Sequence, residues 1–118
     1  MAYTETLAYE NIRSIDSATF TGSYQALGAK LANAASIIKL VNDSTVSVTI
    51  SIDGTNDQDI LPSMSGTIYD NTANRTSSTS GIFVPIGTQY YVKGSAGSGL
   101  VYLVVQYIKV VNTKVGQT

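Results

Sequence analysis

The chain has 118 residues, enough for one domain, with seven basic and eight acidic side chains, a formal charge of −1, and neither cysteine nor histidine. That composition excludes disulfides, thiolate metal sites and histidine-based acid–base or metal chemistry, and the balanced charge argues against a charge-driven nucleic-acid or membrane binder. Only 13% of residues are charged, against about 25% in an average protein. A surface so rich in hydroxyls, amides and tyrosine suits either a solvated sandwich or a face that meets another protein.

Met1-Ala2-Tyr3-Thr4-Glu5 has neither the basic start nor the apolar run of a signal peptide, and no stretch approaches the roughly 20 apolar residues of a membrane span. The expectation is synthesis in the cytoplasm without export by that route. From Tyr3 to Ser17 the chain mixes Leu7, Tyr9 and Ile12 with charges and keeps no clean period, so residues 1–17 read as an extended arm with room for a short strand. Ala18-Thr19-Phe20-Thr21 and Ser23 to Leu27 predict two short strands with a kink at Gly22. Leu31 to Ser36 leads into a strand over Ile37–Val41.

The strongest period in the chain follows. Val46, Val48, Ile50 and Ile52 alternate with Ser47, Thr49 and Ser51, which predicts a strand with one apolar and one hydroxyl face, closed by Asp53-Gly54. With Asn42-Asp43-Ser44 as the turn, Ile37–Val41 and Val46–Ile52 predict a β-hairpin. Ile60-Leu61 returns to the core before Pro62, and Gly66–Asp70 is a further short strand. Asn71 to Ser80 is a polar tract read as an exposed loop tip. Strands at Ile82–Val84 and Gln89–Lys93 follow. Gly94–Gly99 reads as a glycine-rich hairpin connection into Leu100–Tyr107, a strand apolar enough to be buried on both faces or to lie at an interface.

Short strands at this spacing, with no convincing helix, predict an all-β protein: an antiparallel β-sandwich of about eight strands over residues 18–111, followed by a polar tail over 112–118. Jelly-roll connectivity is the first expectation and an immunoglobulin-like order the second.

Site signals are sparse. Asp53, Asp57 and Asp59 crowd seven residues with hard oxygen ligands that suit Ca²⁺. The EF-hand positions for glycine and glutamate hold Gln58 and Met64 instead, so a solvated acidic loop is the plainer reading. Gly94–Gly99 lacks the Lys-Ser/Thr of a phosphate loop, and no helix follows it. Asn42-Asp43-Ser44 and Asn74-Arg75-Thr76 match the glycosylation pattern but carry no weight without a secretion signal. Serines have no histidine to activate them, and the only glutamates, Glu5 and Glu10, both lie in the arm. No catalytic residue, cofactor or metal site is expected. Among the eight tyrosines, Tyr3, Tyr9 and Tyr107 are candidates for anchoring a partner.

Three phrases, Thr21–Gly28, Val48–Asp57 and Gly87–Gly94 with Gly99–Tyr102, resemble small β-sandwich virion proteins of tailed bacteriophages. The resemblance implies a non-enzymatic building block of a particle, with the major capsid protein or other virion proteins as partners and a homo-oligomeric state. Its first form is a multi-copy capsid decoration (cement) protein. Its alternatives are a tail, collar or head–tail junction component, or a receptor- or carbohydrate-binding module, the last disfavoured because the chain has no tryptophan for sugar stacking. The arm residues Tyr3, Leu7, Tyr9 and Ile12 are the expected grip, either by adding a strand to a neighbour's sheet edge or, failing that, by pairing within their own sandwich.

Overall fold

A computed structural model describes residues 3–71 and 83–112. The side chains of Tyr3, Thr4, Val111 and Asn112 are outside that description, as are the loop tip expected over Asn71–Ser80 beyond Asn71 itself, Ile82, and residues 113–118 of the expected tail. The described chain is all-β. Nine strands run in order as β1 (Tyr3–Tyr9), β2 (Arg13–Asp16), β3 (Gln25–Ala26), β4 (Ala35–Ser44), β5 (Val48–Ser51), β6 (Asp59–Leu61), β7 (Ser65–Asp70), β8 (Tyr91–Lys93) and β9 (Gly99–Asn112).

The strands form two antiparallel sheets. The first has the order β1–β9–β4–β7, with β2 continuing β1 along the same edge of β9, and the second has the order β3–β8–β5–β6. The pairs nest: β1 and β2 with β9, β3 with β8, β4 with β7, and β5 with β6. The molecule is therefore one long antiparallel ribbon, turned at residues 52–58 and folded over itself so that β4 also meets β9 and β5 also meets β8.

Period-two patterning explains which faces are buried. Val101, Leu103 and Val105 of β9 are fully buried against Ile38 and Leu40 of β4, and the second sheet answers with Val48, Ile50, Leu61 and Val92. Phe20, Leu27, Leu31 and Tyr90 close the ends, and Tyr90 is buried deeply enough that its hydroxyl pKa is pushed up to about 12. The face assigned to Val48 and Ile50 is the core face, while Val46 packs at its margin and Ile52, beyond the strand end, is half exposed.

Several local expectations give way to the topology. The predicted hairpin between Ile37–Val41 and Val46–Ile52 is not one, because β4 lies in the first sheet and β5 in the second. Asn42 and Ser44, read as turn residues, are buried strand residues. The Asn42 side-chain amide donates to the carbonyls of Val46, Leu61 and Pro62 at 2.8, 3.0 and 3.1 Å, so its position on one sheet ties down the hairpin of the other. The hairpin of the central strand is β5–β6. Gly94–Gly99 also crosses between sheets instead of closing a hairpin, since β8 and β9 do not pair. Gly99 enters β9 with φ +101, and a Cβ there would lie 2.1 Å from the Asp43 carbonyl oxygen, so no other residue fits. Ser17–Thr19 is a 3₁₀ turn capped by Asp16 and not a strand. The arm expected over residues 1–17 is, from Tyr3 onward, an integral edge of the first sheet.

Candidate functional site

The three acidic candidates Asp53, Asp57 and Asp59 do not converge, and among the described residues no group of three metal-ligating side chains forms. Asp53 turns its carboxylate inward on its own loop, accepting from the amides of Thr55 and Asn56 at 2.8 Å each and from Ser51 Oγ at 2.8 Å. The Asn56 hydrogen bonds, backbone first and then side chain, hold its pKa well below the usual carboxylate range. Asp57 faces the other way. It binds Lys93 Nζ at 2.8 Å and accepts from the Tyr24 hydroxyl, and these two contacts lower its pKa in that order. Lys93 also sits 4.7 Å from the centroid of the Tyr24 ring. Desolvation and the Asp57 carboxylate together push the Tyr24 hydroxyl to about 12. Asp59, on β6, caps the amide of Ile60.

These contacts fold the loop back across the outer face of the second sheet. Gly54, at φ +76, brings the backbone so close that a Cβ would lie 3.3 Å from the Tyr91 ring. Ser51, nominally on the outward side of β5, is fully buried beneath the turn. That face is thus partly covered by its own chain and edged with hydroxyls and charges, while Ile60 of β6, opposite Thr49, stays 63% exposed on it.

The outer face of the first sheet is different. Because Val101, Leu103 and Val105 point inward, Tyr102, Val104, Gln106, Ile108 and Val110 point outward. The registers Ile37↔Gln106, Lys39↔Val104 and Val41↔Tyr102 set β4 beside them, and Lys39↔Ile68 adds β7. On the arm side, Leu7↔Ile108 and Tyr9↔Gln106 extend the same face. Ile37, Val41, Tyr102, Val104 and Ile108 are half-buried, and Ile68 and Val110 are each 61% exposed. A depression of about 300 Å³ lies between Val41, Tyr102, Met64 and Gly66. A solvated sandwich normally places polar residues on such a face.

The sequence candidates in the arm separate accordingly. Leu7 and Tyr9 stand on this outer face, 44% and 66% exposed, while Tyr3 pairs with Asn112 through its backbone. Ile12, 61% exposed, lies at the bend between β1 and β2, where Tyr9 and Tyr107 also line a groove of about 610 Å³. The bend is held by a polar knot. Arg13 pairs with Glu10 at 2.6 Å and donates to the carbonyls of Ala29 and Lys30, and Glu10 accepts from the Asn33 amide at 2.7 Å. Burial alone would raise the Glu10 pKa, but the hydrogen bonds from Asn33, Arg13 and Ala32 outweigh it and lower the pKa. A second cleft, about 430 Å³, opens between the sheets beside Ile50, Ile52, Tyr69, Val84 and Tyr90. The sequence singled out neither Ile37 and Val41 as surface residues nor Tyr102 and Val104 within Leu100–Tyr107, a strand expected to be buried on both faces or to lie at an interface. The signal that could have found them is the absence of polar alternation in Leu100–Tyr107.

Among the described residues, no helix is long and apolar enough to cross a membrane. No protein-family model matches the chain, and no curated protein matches it. Among solved structures, the chain is similar to the Dit protein of phage SPP1, described as a paradigm of the hub adsorption apparatus in phages that infect Gram-positive hosts. The identity is 11% and the TM-score 0.39, and the alignment covers 91% of this chain and 58% of that one. The chain thus spans less than two thirds of the length of that protein.

Proposed function

We propose that the protein is a non-enzymatic structural component of a tailed-phage particle, acting through protein–protein contact as one of many copies. The observation that carries this reading is the apolar outer face of the first sheet, with Leu7, Tyr9 and Ile12 at its arm side; Tyr3 belongs to the same strand. Contiguous exposed apolar surface of this kind marks interaction sites. Three of the eight acidic side chains are already engaged within the fold: Glu10 in its knot, Asp53 in its loop and Asp57 with Lys93. We read the nested strand pairing as jelly-roll connectivity, which suits a rigid block with its loops at the two ends. Two positions on a particle fit such a block: a decoration protein on the major capsid shell, and a tail, collar or head–tail junction component. Gold labelling of purified particles with an antibody to the chain tests the reading and separates the positions. Label over capsid faces supports decoration, and label at the tail or its vertex supports the alternative. Particles free of the protein overturn the proposal.

A further inference from the structure

We infer that the outer face of the first sheet is a self-association surface, on which a second copy of this chain docks face to face about a two-fold axis. This rests on the protein–protein reading of the face given above and names its partner. Size is the first argument. Four strands at about 4.8 Å spacing, over the stretch where β4 and β9 pair (Ala35–Ser44 against Gly99–Tyr107), make a patch about 19 Å by about 30 Å. That is on the order of 600 Å² before the pleat, the side chains and the β1–β9 extension are added, close to the roughly 800 Å² per partner of a standard interface. Two sheets meeting in this way would repeat outside the molecule the sheet-on-sheet packing found inside it.

Charge placement is the second argument, and it selects a copy of the same chain. The centre of the patch carries one cation, Lys39, and one anion, Asp43, both exposed, on the same face of β4 and two residues either side of Val41. Among the described residues neither has an ion-pair partner. A two-fold axis in the plane of contact, crossing the strands at the Val41–Tyr102 pair, sets Lys39 of one copy over Asp43 of the other, and the converse. It also stacks Tyr102 and Val41 on their own counterparts at the centre, where aromatic and aliphatic anchors contribute most. An arrangement in which a surface is complementary to itself by rotation is what an isologous interface requires.

The test is sedimentation of the full purified chain over a range of concentrations. A species of twice the 12.5 kDa chain mass is expected. Lys39→Asp and Asp43→Lys should each weaken association at least about tenfold by setting like charges together, and the double variant should restore it. Because both residues are exposed, the melting temperature of each monomer should stay near that of the wild type. Tyr102→Asp should abolish the dimer. A chain that stays monomeric at every concentration overturns the inference, as does a dimer that neither charge reversal weakens. If the chain is monomeric and Tyr102→Asp prevents incorporation into particles, the occupant is another virion protein, and only the second-copy inference fails. Absence of the wild-type chain from particles, by contrast, defeats the virion reading and leaves the dimer result standing.

Discussion

The two outer faces of this sandwich solve the same problem in opposite ways. On the second sheet the 52–58 loop folds back over Tyr91, buries Ser51, and sets Asp57 against Lys93 and Tyr24. On the first sheet the described chain lays nothing over Ile37, Val41, Tyr102 and Val104, which are left half-buried. One face is largely covered by its own chain, and the other is left open among the described residues. A sandwich whose two sheets are both antiparallel can thus carry two outer sides of unlike chemistry.

The largest effect should come from moving a charge across the first sheet by one residue. Leu103→Asp buries an unpaired carboxylate in the core and should cost several kcal/mol, enough to unfold a domain of ordinary stability. Val104→Asp, one position along and facing out, should change the monomer by less than about 1 kcal/mol. The same comparison on the second sheet is Ile50→Asp against Thr49→Asp. Thermal denaturation checks both pairs, and equal losses within a pair would show that its faces are misassigned. Next in size is Asn42→Ala, which strips the donor from the Val46, Leu61 and Pro62 carbonyls and should cost about 1–3 kcal/mol in urea denaturation.

The self-covered face offers two finer tests. Gly54→Ala forces a side chain into left-handed backbone against Tyr91 and should cost about 1–2 kcal/mol, with a change in tyrosine fluorescence as the loop lifts. Asp57→Asn gives the smallest effect and a pH signature. The Lys93 and Tyr24 contacts depress the Asp57 pKa, so their stabilisation is present above the unfolded value near 4 and is lost as pH falls through the folded one. The melting temperatures of wild type and variant should differ most near neutral pH and converge below about pH 4.

Strand existence and facing were legible in the sequence wherever period-two alternation was clean, as at Val48 and Ile50. Sheet membership was not. Asn42-Asp43-Ser44 has the composition of a hairpin turn, but Asn42 and Ser44 serve equally well as buried bridges between sheets, and local chemistry does not say whether a chain turns back or crosses over. Gly94–Gly99 misled in the same way. The arm failed to show a period because its strand is half wet on both faces, with Thr6 and Leu7 both exposed. In the candidate site, Leu7, Tyr9 and Ile12 were visible as apolar residues without a local core. Val104 and Tyr102 lay inside a run that reads as buried on both faces or as part of an interface, and the sequence does not choose between these because exposure depends on which layer covers the sheet.

The nested pairing has a consequence for how the chain comes to be folded. The strand β9, last of those described, lies between β1 and β4, so the first sheet has no centre until residues 99–112 have been made. During synthesis the arm and β4 must wait with their apolar edges unpaired, and closing loops that reach from Tyr3 to Asn112 delays the reward for that ordering. Refolding should therefore be slow for a domain of this length. A chain that lacks β9 should not retain half a structure; it should retain none.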